Sequence, residues 1–320
     1  MPFFFLLVGI EIKREMVSGE LSQFRQAILP GFAAIGGMLV PAFIYIFFNN
    51  GNPETSHGWA IPTATDIAFS LGLLSLLGKR VPFALKIFLT ALAIIDDLGA
   101  IIIIAVFYTS SLNLLMLVMF LLIFVLLLIL NRFKVRFMFP YLLLGTMLWY
   151  FVMKSGIHPT IAGVLMAFSI PVTIAEKLEE KLTKAVYYFI LPLFALANTA
   201  IPLSFDMAAN LLSPMSMGII LGLLIGKPVG IVLFTYILVK TRISEMLAGI
   251  KWKQMIGIGM VAGIGFTMSI FIASLSFSSG FLSDISKLAI IGGSVFSAIV
   301  GLLTLWRSFR SEIRDMRSEI

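Results

Sequence analysis

The chain has 320 residues, of which 60% are hydrophobic and only 12% are charged, and its mean hydropathy is +1.06. This composition excludes a soluble globular domain, and the apolar runs of about 20 residues along the whole length are typical of a polytopic helical membrane protein. The net charge of +7 is interpreted as a determinant of membrane topology and not as affinity for nucleic acid, and the absence of cysteine excludes a disulfide framework.

The chain begins with an apolar stretch, Met1 to Ile10, which the charged residues Glu11, Lys13, Arg14 and Glu15 follow. Ten helical residues cover roughly 15 Å, about half of a hydrocarbon core. No basic segment precedes the stretch, so it does not have the pattern of a signal peptide. We expect it to be the second half of a span whose first half is missing.

The rest of the chain is interpreted as ten spans within one transmembrane transporter domain over residues 1–320. The predicted fold is therefore an all-α polytopic membrane protein with about 10–11 spans. The predicted spans are residues 29–48, 61–78, 84–108, 113–131, 138–153, 157–173, 184–200, 216–239, 254–276 and 286–306.

Basic residues alternate between the predicted loops. The loops around 49–60, 109–112, 201–215 and 277–285 carry no Lys or Arg, whereas the basic residues collect in the loops on the other side, with Lys154 as the exception. The positive-inside rule makes the basic side cytoplasmic and places the C-terminus there too.

Two predicted spans are poor continuous helices. The 61–78 span contains Pro62, Thr65 and Asp66, and the 254–276 span contains Gly263 and Gly265. Each is the middle member of a triplet of spans, and the two triplets run in opposite directions, so residues 29–108 and 216–306 are predicted to form an inverted-repeat core with two discontinuous crossing helices. The alternative is that Gly and Pro are simply common in membrane helices.

Asp96 and Asp97 are adjacent in the middle of the 84–108 span. One carboxylate at bilayer depth costs roughly 2.5–3.5 kcal/mol, so such residues face a cavity, a partner charge or an ion. Lys227 is also mid-span, beside the small face made by Gly222, Gly226 and Gly230. It is predicted to contact either the Asp96 carboxylate or the negative C-terminal ends of the broken helices, whereas Asp66 is predicted to lie near their positive N-terminal ends.

Carboxylates, threonine hydroxyls and free carbonyls form a hard-oxygen site that suits Na⁺, Li⁺ or protons. A carboxylate that holds either a proton or a cation, with access alternating across the membrane, is sufficient for exchange. The rival interpretations are an intramembrane aspartyl protease using Asp66 and Asp97, and a cation channel. Neither gives Lys227 a part, and proton coupling separates an exchanger from a channel.

The remaining polar candidates have ordinary interpretations as well. His158 lies near a span end on the outer side, where a structural role is at least as expected as a response to pH. The charged residues at the cytoplasmic surface are usually just solvated. They are Glu11, Arg14, Glu15, Glu179 and Glu180.

Several stretches, in order from start to end of the chain, resemble the NhaA-type bacterial Na⁺/H⁺ antiporters. Antiporters of this family are themselves a known example of the inverted-repeat transporter fold, so that architecture is not inferred independently of the resemblance. The matching stretches are Gly9 to Glu15, Gly58 to Phe69, Ala93 to Ala100, Lys154 to His158, Leu223 to Pro228 and Gly263 to Ser274.

The resemblance implies a role for each matching residue. Asp97 would be the principal carrier of Na⁺ and protons, with Asp96 as its partner and Lys227 linked to Asp96, and Thr65 and Asp66 would line or balance the helix crossing. The candidates for a pH response would be Glu11, Arg14, Glu15, His158 and Glu179.

The resemblance also implies electrogenic, pH-regulated exchange of cytoplasmic Na⁺ or Li⁺ for external protons in the bacterial inner membrane. The protein would be no enzyme and would need no cofactor. Family members carry a first span, an outer hairpin and a whole second span before the position of Glu11, and the hairpin makes the dimer contact. A homodimer is therefore in question, and an inactive, N-terminally truncated homologue is the alternative interpretation.

Overall fold

The computed structural model describes residues 1–109, 112–201, 210–277 and 280–318. Parts of the predicted outer loops 109–112, 201–215 and 277–285 lie outside these residues. The described residues form helices and connections without a strand. In chain order the α-helices are α1 (Pro2–Ser18), α2 (Phe24–Asn49), α3 (Pro53–Ser56), α4 (Ile67–Ser75), α5 (Phe83–Phe107), α6 (Leu114–Arg132), α7 (Met138–Ser155), α8 (Thr160–Ser169), α9 (Val172–Ala185), α10 (Leu191–Asn198), α11 (Pro214–Leu221), α12 (Lys227–Lys240), α13 (Trp252–Ala262), α14 (Phe266–Ser276) and α15 (Phe281–Ser318).

Shorter helical turns of two types connect these helices. 3-10 turns form at Glu20–Ser22, His57–Thr63 and Gly78–Arg80, and π-helical turns form at Val186–Ile190 and Gly222–Gly226. The second π turn comes just before Pro228. Since proline has no N–H to bond the preceding turn, a widened turn at this point fits the sequence.

The all-α polytopic membrane fold predicted from the sequence is confirmed. Among the described residues, five helical segments are long and apolar enough to cross a membrane. The bent pair α13 and α14, with 46° between its members, is a sixth if it counts as one span. The five are Gln26–Asn49, Phe83–Phe107, Leu114–Arg132, Pro214–Lys240 and Phe281–Ser311.

The predicted boundaries around residues 170–185 are wrong. Helix α8 ends at Ser169, and α9 begins at Val172 and runs through the region expected to be a charged loop. Pro171 sits at the N-cap of α9, where its missing N–H costs nothing. Helix α9 buries Ala175 and Glu179 and exposes its other charges, so it is an amphipathic surface helix and not an apolar span.

The chain forms two compact units. The first comprises residues 1–22 and 101–197. Here α1 packs on α8 at two glycines: a Cβ added at Gly163 would lie 2.6 Å from the Pro2 carbonyl oxygen, and one added at Gly9 would lie 2.7 Å from Ala167 Cβ. Such backbone contact is typical of small residues at membrane helix interfaces.

The second unit comprises residues 23–100 and 198–320. Its α2 and α12 cross at Gly36 and Gly230, where a Cβ added at Gly230 would lie 2.0 Å from the Gly36 carbonyl oxygen. Added Cβ atoms at Gly222 and Gly226 would lie 2.6 Å and 2.9 Å from Pro62 Cβ and Pro41 Cα. The predicted small face therefore exists, and it holds α12 and the turn before it against α2 and the 3-10 segment.

Candidate functional site

Two helices in the second unit are interrupted at the places that the sequence indicated. The 3-10 helix His57–Thr63 stops, the chain is extended at Ala64, and α4 begins at Ile67 with Asp66 as its N-cap. Helix α13 ends at Ala262, and α14 begins at Phe266. Each interruption exposes the C-terminal carbonyls of one helix and the N-terminal amides of the next, which need polar partners in an apolar environment.

The carbonyls at the end of α13 find their partners on the other broken segment. Thr65 Oγ1 donates to the Ala262 carbonyl oxygen at 2.9 Å, the Asp66 amide donates to that of Ile264 at 2.7 Å, and Ser70 Oγ donates to that of Val261 at 3.1 Å. The two broken segments therefore cross in direct contact, as the sequence predicted.

Hydrogen bonds also run in the other direction, from α14 to the carbonyls of the first broken segment. Ser269 Oγ on α14 donates to the Ile61 carbonyl oxygen at 2.7 Å, which matches the Ser70 bond to Val261. Close contact at the crossing also requires small residues, since a Cβ added at Gly265 would lie 3.1 Å from the Ala64 carbonyl oxygen on the other segment. The reciprocal bonds satisfy helix ends that lie where no water is expected.

Asp66 joins the N-terminal ends of both second halves. Its Oδ1 accepts from the Phe69 amide at 3.2 Å, and its Oδ2 accepts from the Thr267 amide at 2.9 Å and also from the Thr267 hydroxyl. The side chain is buried. One carboxylate thus caps α4 and faces the first turn of α14, where the helix dipoles favour negative charge.

Lys227 makes both contacts that the sequence offered as alternatives. Its fully buried Nζ lies 2.7 Å from Asp96 Oδ2, and it also donates to the Thr63 carbonyl oxygen at the C-terminal end of the first broken segment. A buried ammonium needs such partners to offset the loss of its hydration. The ion pair joins α12, α5 and the helix crossing in one polar cluster.

Asp97 is the second buried carboxylate of α5, only 2% exposed. The Lys227 ammonium interacts with it electrostatically, after its stronger interaction with Asp96. Asp97 therefore lies within the field of the Asp96–Lys227 pair. Among the described residues no three His, Asp or Glu side chains gather as a metal-binding cluster.

A second polar group lies in the first unit, in the part of α1 that follows its apolar residues. Arg14 pairs with Glu179 of α9 and, at 3.3 Å, with Glu15. Glu11 lies within the field of Glu179, Arg14 and Glu15, and it hydrogen-bonds the Tyr187 side chain. The structure therefore brings together four of the five residues considered for a pH response.

The acidic members of this group have raised pKa values. Burial and, to a smaller extent, the Glu179 charge raise the pKa of Glu11 to about 7, although Arg14 acts to lower it. Burial also raises the pKa of Glu179, again against the effect of Arg14. A carboxyl group with a pKa near neutrality changes charge in the physiological range.

His158, the fifth candidate, is not part of this group. It precedes α8, its Nδ1 lies 2.8 Å from Thr160 Oγ1, and it is within the field of the Met1 amino group. Met1 and Glu11 are at opposite ends of the apolar part of α1, roughly 15 Å apart along the helix. Burial lowers the pKa of His158, which favours the neutral imidazole at pH 7.

Several polar residues escaped prediction from the sequence. Ser70 and Ser269 bond the broken helices, and Lys13 donates to the Phe168 carbonyl oxygen at 2.8 Å and to that of Ile170 at the end of α8. Lys287 pairs with Asp284 at 3.6 Å near the start of α15. Of these contacts, only that of Lys13 had a signal in the sequence. Pro171 favours the end of a helix just before it, and the last carbonyls of a helix attract cations such as lysine.

Comparison with known proteins links this geometry to a transporter family. The model of the family described as Na+/H+ antiporter 1 matches residues 1–305. The protein named Na(+)/H(+) antiporter NhaA of Shewanella amazonensis is 51% identical over 313 residues, which are 95% of this chain and 80% of that protein. Na(+)/H(+) antiporter NhaA 2 of Pseudomonas syringae pv. syringae is 49% identical over 316 residues, 96% of this chain and 81% of the relative.

Proposed function

Because this chain belongs to the Na+/H+ antiporter 1 family, we propose that it is a secondary transporter, and no enzyme, that exchanges Na⁺ for protons across the bacterial inner membrane. The observation that carries this proposal is the match over residues 1–305 together with 51% identity to a protein named Na(+)/H(+) antiporter NhaA. The apolar spans support the membrane location.

The proposed transport site is the carboxylate pair on α5. Asp97 binds Na⁺ or a proton, and Asp96 is the partner whose charge is balanced by Lys227 at 2.7 Å. A carboxylate cannot hold a proton and bind a cation with full charge at once, so the two cargoes compete. Li⁺ is a further proposed cargo because it is a hard monovalent cation with the same preference for oxygen.

The crossing of the broken helices supports the site from the other side. Asp66 compensates two helix N-termini, and Thr65 fixes one end of α13. Lys227 bonds both to a carbonyl at this crossing and to Asp96. Through Lys227, a change in the charge on α5 thereby alters the electrostatic interactions of the broken helices, whose rearrangement would alternate access to the site.

The proposal also includes the direction of ion transport and its regulation by pH. Na⁺ or Li⁺ leaves the cytoplasm and protons enter, with more protons than cations per cycle, so the membrane potential contributes to extrusion. The cytoplasmic group of Glu11, Arg14, Glu15 and Glu179 adjusts activity to pH through carboxyl groups with raised pKa values. The C-terminus is proposed to be cytoplasmic, in accord with the positive-inside rule.

The test is exchange in everted membrane vesicles from cells that lack their own antiporters. Respiration acidifies the lumen, and a fluorescent probe reports whether added Na⁺ or Li⁺ collapses the proton gradient. We expect collapse with this chain and none with Asp97→Asn, which removes the charge but retains the shape. Asp284→Asn makes the same chemical change at a partly exposed position on α15 and should leave exchange intact.

Near-normal exchange in Asp97→Asn would refute the role of Asp97. Absence of exchange in the unmodified chain, present in the membrane at the level of an active control antiporter, would refute the proposed activity of this chain. Entry of Na⁺ into the vesicles that leaves the pH gradient in place would indicate a channel.

A further inference from the structure

An apolar groove of about 590 Å³ follows one face of α12 and the π turn before it. Its first wall is formed by residues four apart, namely Leu224, Pro228, Val232 and Tyr236. Residues four apart share one helix face, so these side chains form a continuous ridge. From Leu224 to Tyr236 the ridge rises by twelve residue steps, about 18 Å at 1.5 Å per residue.

The second wall is the matching ridge of α13, formed by Trp252, Ile256 and Met260. The two helices approach closely at the inner end of the groove, where a Cβ added at Gly259 would lie 3.0 Å from Pro228 Cα. The groove is therefore defined by backbone packing of two helices and does not depend on the rotamer of one side chain.

The groove lies within segments that are apolar enough to cross a membrane. Its outward residues are substantially exposed, with Val229 and Ile225 each 48% accessible. In a bilayer such a surface faces lipid, and its length of about 18 Å is close to the half-thickness of the hydrocarbon core, about 15 Å. The groove thus has the length of an acyl chain from one leaflet.

One end of the groove is aromatic and basic. The rings of Tyr236 and Trp252 meet there with centroids 5.6 Å apart, and Lys240 Nζ lies 5.6 Å from the Tyr236 centroid. Lys240 continues the α12 ridge by one more turn, and the exposed Lys251 and Lys253 flank Trp252 in the chain. Tyr and Trp are enriched where hydrocarbon meets headgroups, so this end is at the membrane surface.

The charge of this end is strongly positive. Lys240 lies over one ring of the aromatic pair, and Lys251 and Lys253 are the chain neighbours of the other. The connection between α12 and α13 adds Arg242 and Glu245, whose formal charges offset each other. Clustered basic residues at a membrane surface attract anionic lipids, with about 1 kcal/mol per Lys or Arg. A second copy of this chain, docked about a twofold axis, would bring the same lysines toward each other and is disfavoured by repulsion.

We propose that this groove is a binding site for one anionic phospholipid. An acyl chain lies between the two ridges, the aromatic pair packs against the start of that chain, and the phosphate is bound by Lys240, Lys251 and Lys253. The acyl chain contacts Leu224 in the π turn just before Lys227 and Met260 near the break after α13. The lipid therefore braces both irregular segments, and the site is separate from the carboxylate pair.

Tryptophan quenching tests the proposal because the chain has only four tryptophans. A variant that retains Trp252 alone, with Trp59, Trp149 and Trp306 changed to Phe, is reconstituted in phosphatidylcholine vesicles. Phosphatidylglycerol with brominated acyl chains is added at a fixed fraction, and brominated phosphatidylcholine serves as the zwitterionic comparison. We expect phosphatidylglycerol to associate with Trp252 at least about fivefold more strongly, and Lys240→Gln to reduce that preference roughly fivefold.

The matched control retains Trp306 alone. This residue is 38% exposed against 36% for Trp252, and it also has a basic neighbour, Arg310, 5.0 Å from its ring centroid, but it does not line the groove. A preference at Trp252 no greater than at Trp306 would mean general enrichment of anionic lipid near basic helix ends and would overturn the proposal. Quenching by neither lipid would mean that protein covers the groove, with the same consequence.

A second measurement does not depend on the tryptophan changes. The unmodified chain in detergent should melt at a higher temperature when phosphatidylglycerol is added than when phosphatidylcholine is added. The variant Lys240→Gln/Lys251→Gln/Lys253→Gln should lose that difference. An equal stabilisation of both proteins by phosphatidylglycerol would overturn the assignment of the headgroup site.

Discussion

Removal of the Lys227 ammonium should be among the most destabilising single changes in the second unit. Lys227→Met retains much of the side-chain volume, so the effect is polar and not a cavity. Two acceptors lose their donor, Asp96 Oδ2 at 2.7 Å and the Thr63 carbonyl oxygen. Asp96 is 1% exposed, so solvent does not replace the lost charge.

The expected loss of unfolding free energy in Lys227→Met follows from this burial. Breaking a buried ion pair by removal of one partner costs about 3–5 kcal/mol, mainly because the remaining charge is uncompensated. Asp96→Asn removes that remaining charge. The double variant Asp96→Asn/Lys227→Met should therefore recover about 2 kcal/mol or more relative to Lys227→Met alone, a coupling within the range found for residues in direct contact.

The assay is the free energy of unfolding from denaturant titration in detergent micelles, followed by tryptophan fluorescence. Lys287→Met is the control, because the Lys287–Asp284 pair is longer, at 3.6 Å, and partly exposed. Its loss should cost at most about 1 kcal/mol. The expected cost of breaking the buried ion pair is refuted if Lys227→Met lowers the free energy of unfolding no more than Lys287→Met does. It is also refuted if the double variant is no more stable than Lys227→Met.

Three further changes test other parts of the structure. Gly230→Ala should destabilise the protein by about 1–3 kcal/mol, because overpacking forces α12 away from α2; thermal unfolding measures this. Thr267→Val removes a hydroxyl donor to the buried Asp66 carboxylate and should reduce the vesicle exchange rate and lower the unfolding temperature. Glu11 has a pKa of about 7 in the folded protein, against an ordinary 4.5. Its contribution to the free energy of unfolding is therefore complete below about pH 4.5 and is lost as the pH rises through 7. Glu11→Gln should flatten the dependence of the unfolding free energy on pH over that interval.

Two of these changes have a matched control in the same chain. Gly292→Ala adds a methyl group that meets no atom within 4 Å and should not destabilise, in contrast to Gly230→Ala. Thr304→Val removes a hydroxyl whose shorter contact is to the Val300 carbonyl oxygen within its own helix, at 2.7 Å, and should leave exchange unchanged. A stability profile in Glu11→Gln that keeps the slope of the unmodified protein between pH 4.5 and 7 would contradict the pKa raised by burial.

The broken helices could be predicted from the sequence because their signals are local. Pro62 and Asp66 disfavour a continuous helix, and Gly263 and Gly265 weaken one. The contact between Lys227 and Asp96 was also accessible, since a mid-span lysine needs a partner and few carboxylates were available. The sequence left two alternatives for that lysine, and the structure contains both contacts because a carbonyl end and a carboxylate lie side by side.

Other features depend on tertiary packing and could not be predicted from the sequence. The charged stretch after Pro171 resembled a loop because its average polarity is high, but helix α9 buries one face with Ala175 and Glu179. Ser70 and Ser269 are ordinary residues in an apolar sequence, and only the crossing of the two segments shows which carbonyls they bond. The inverted-repeat core and the roles of the site residues stay predictions.

The buried charges of the second unit bear on the proposed electrogenic exchange. Among its described residues the buried side chains that carry a full charge when ionised at pH 7 are Asp66, Asp96, Asp97 and Lys227, so there are three carboxylates and one ammonium. The crossing contains two helix N-termini, those of α4 and α14, and two helix C-termini, those after Thr63 and Ala262, so their partial charges are of opposite sign and largely cancel. Two protons would neutralise the remaining charge completely, whereas one Na⁺ leaves one negative charge. The proton-loaded and sodium-loaded forms then differ by one charge in a medium where an isolated charge is costly, which is the physical condition for exchange that responds to the membrane potential.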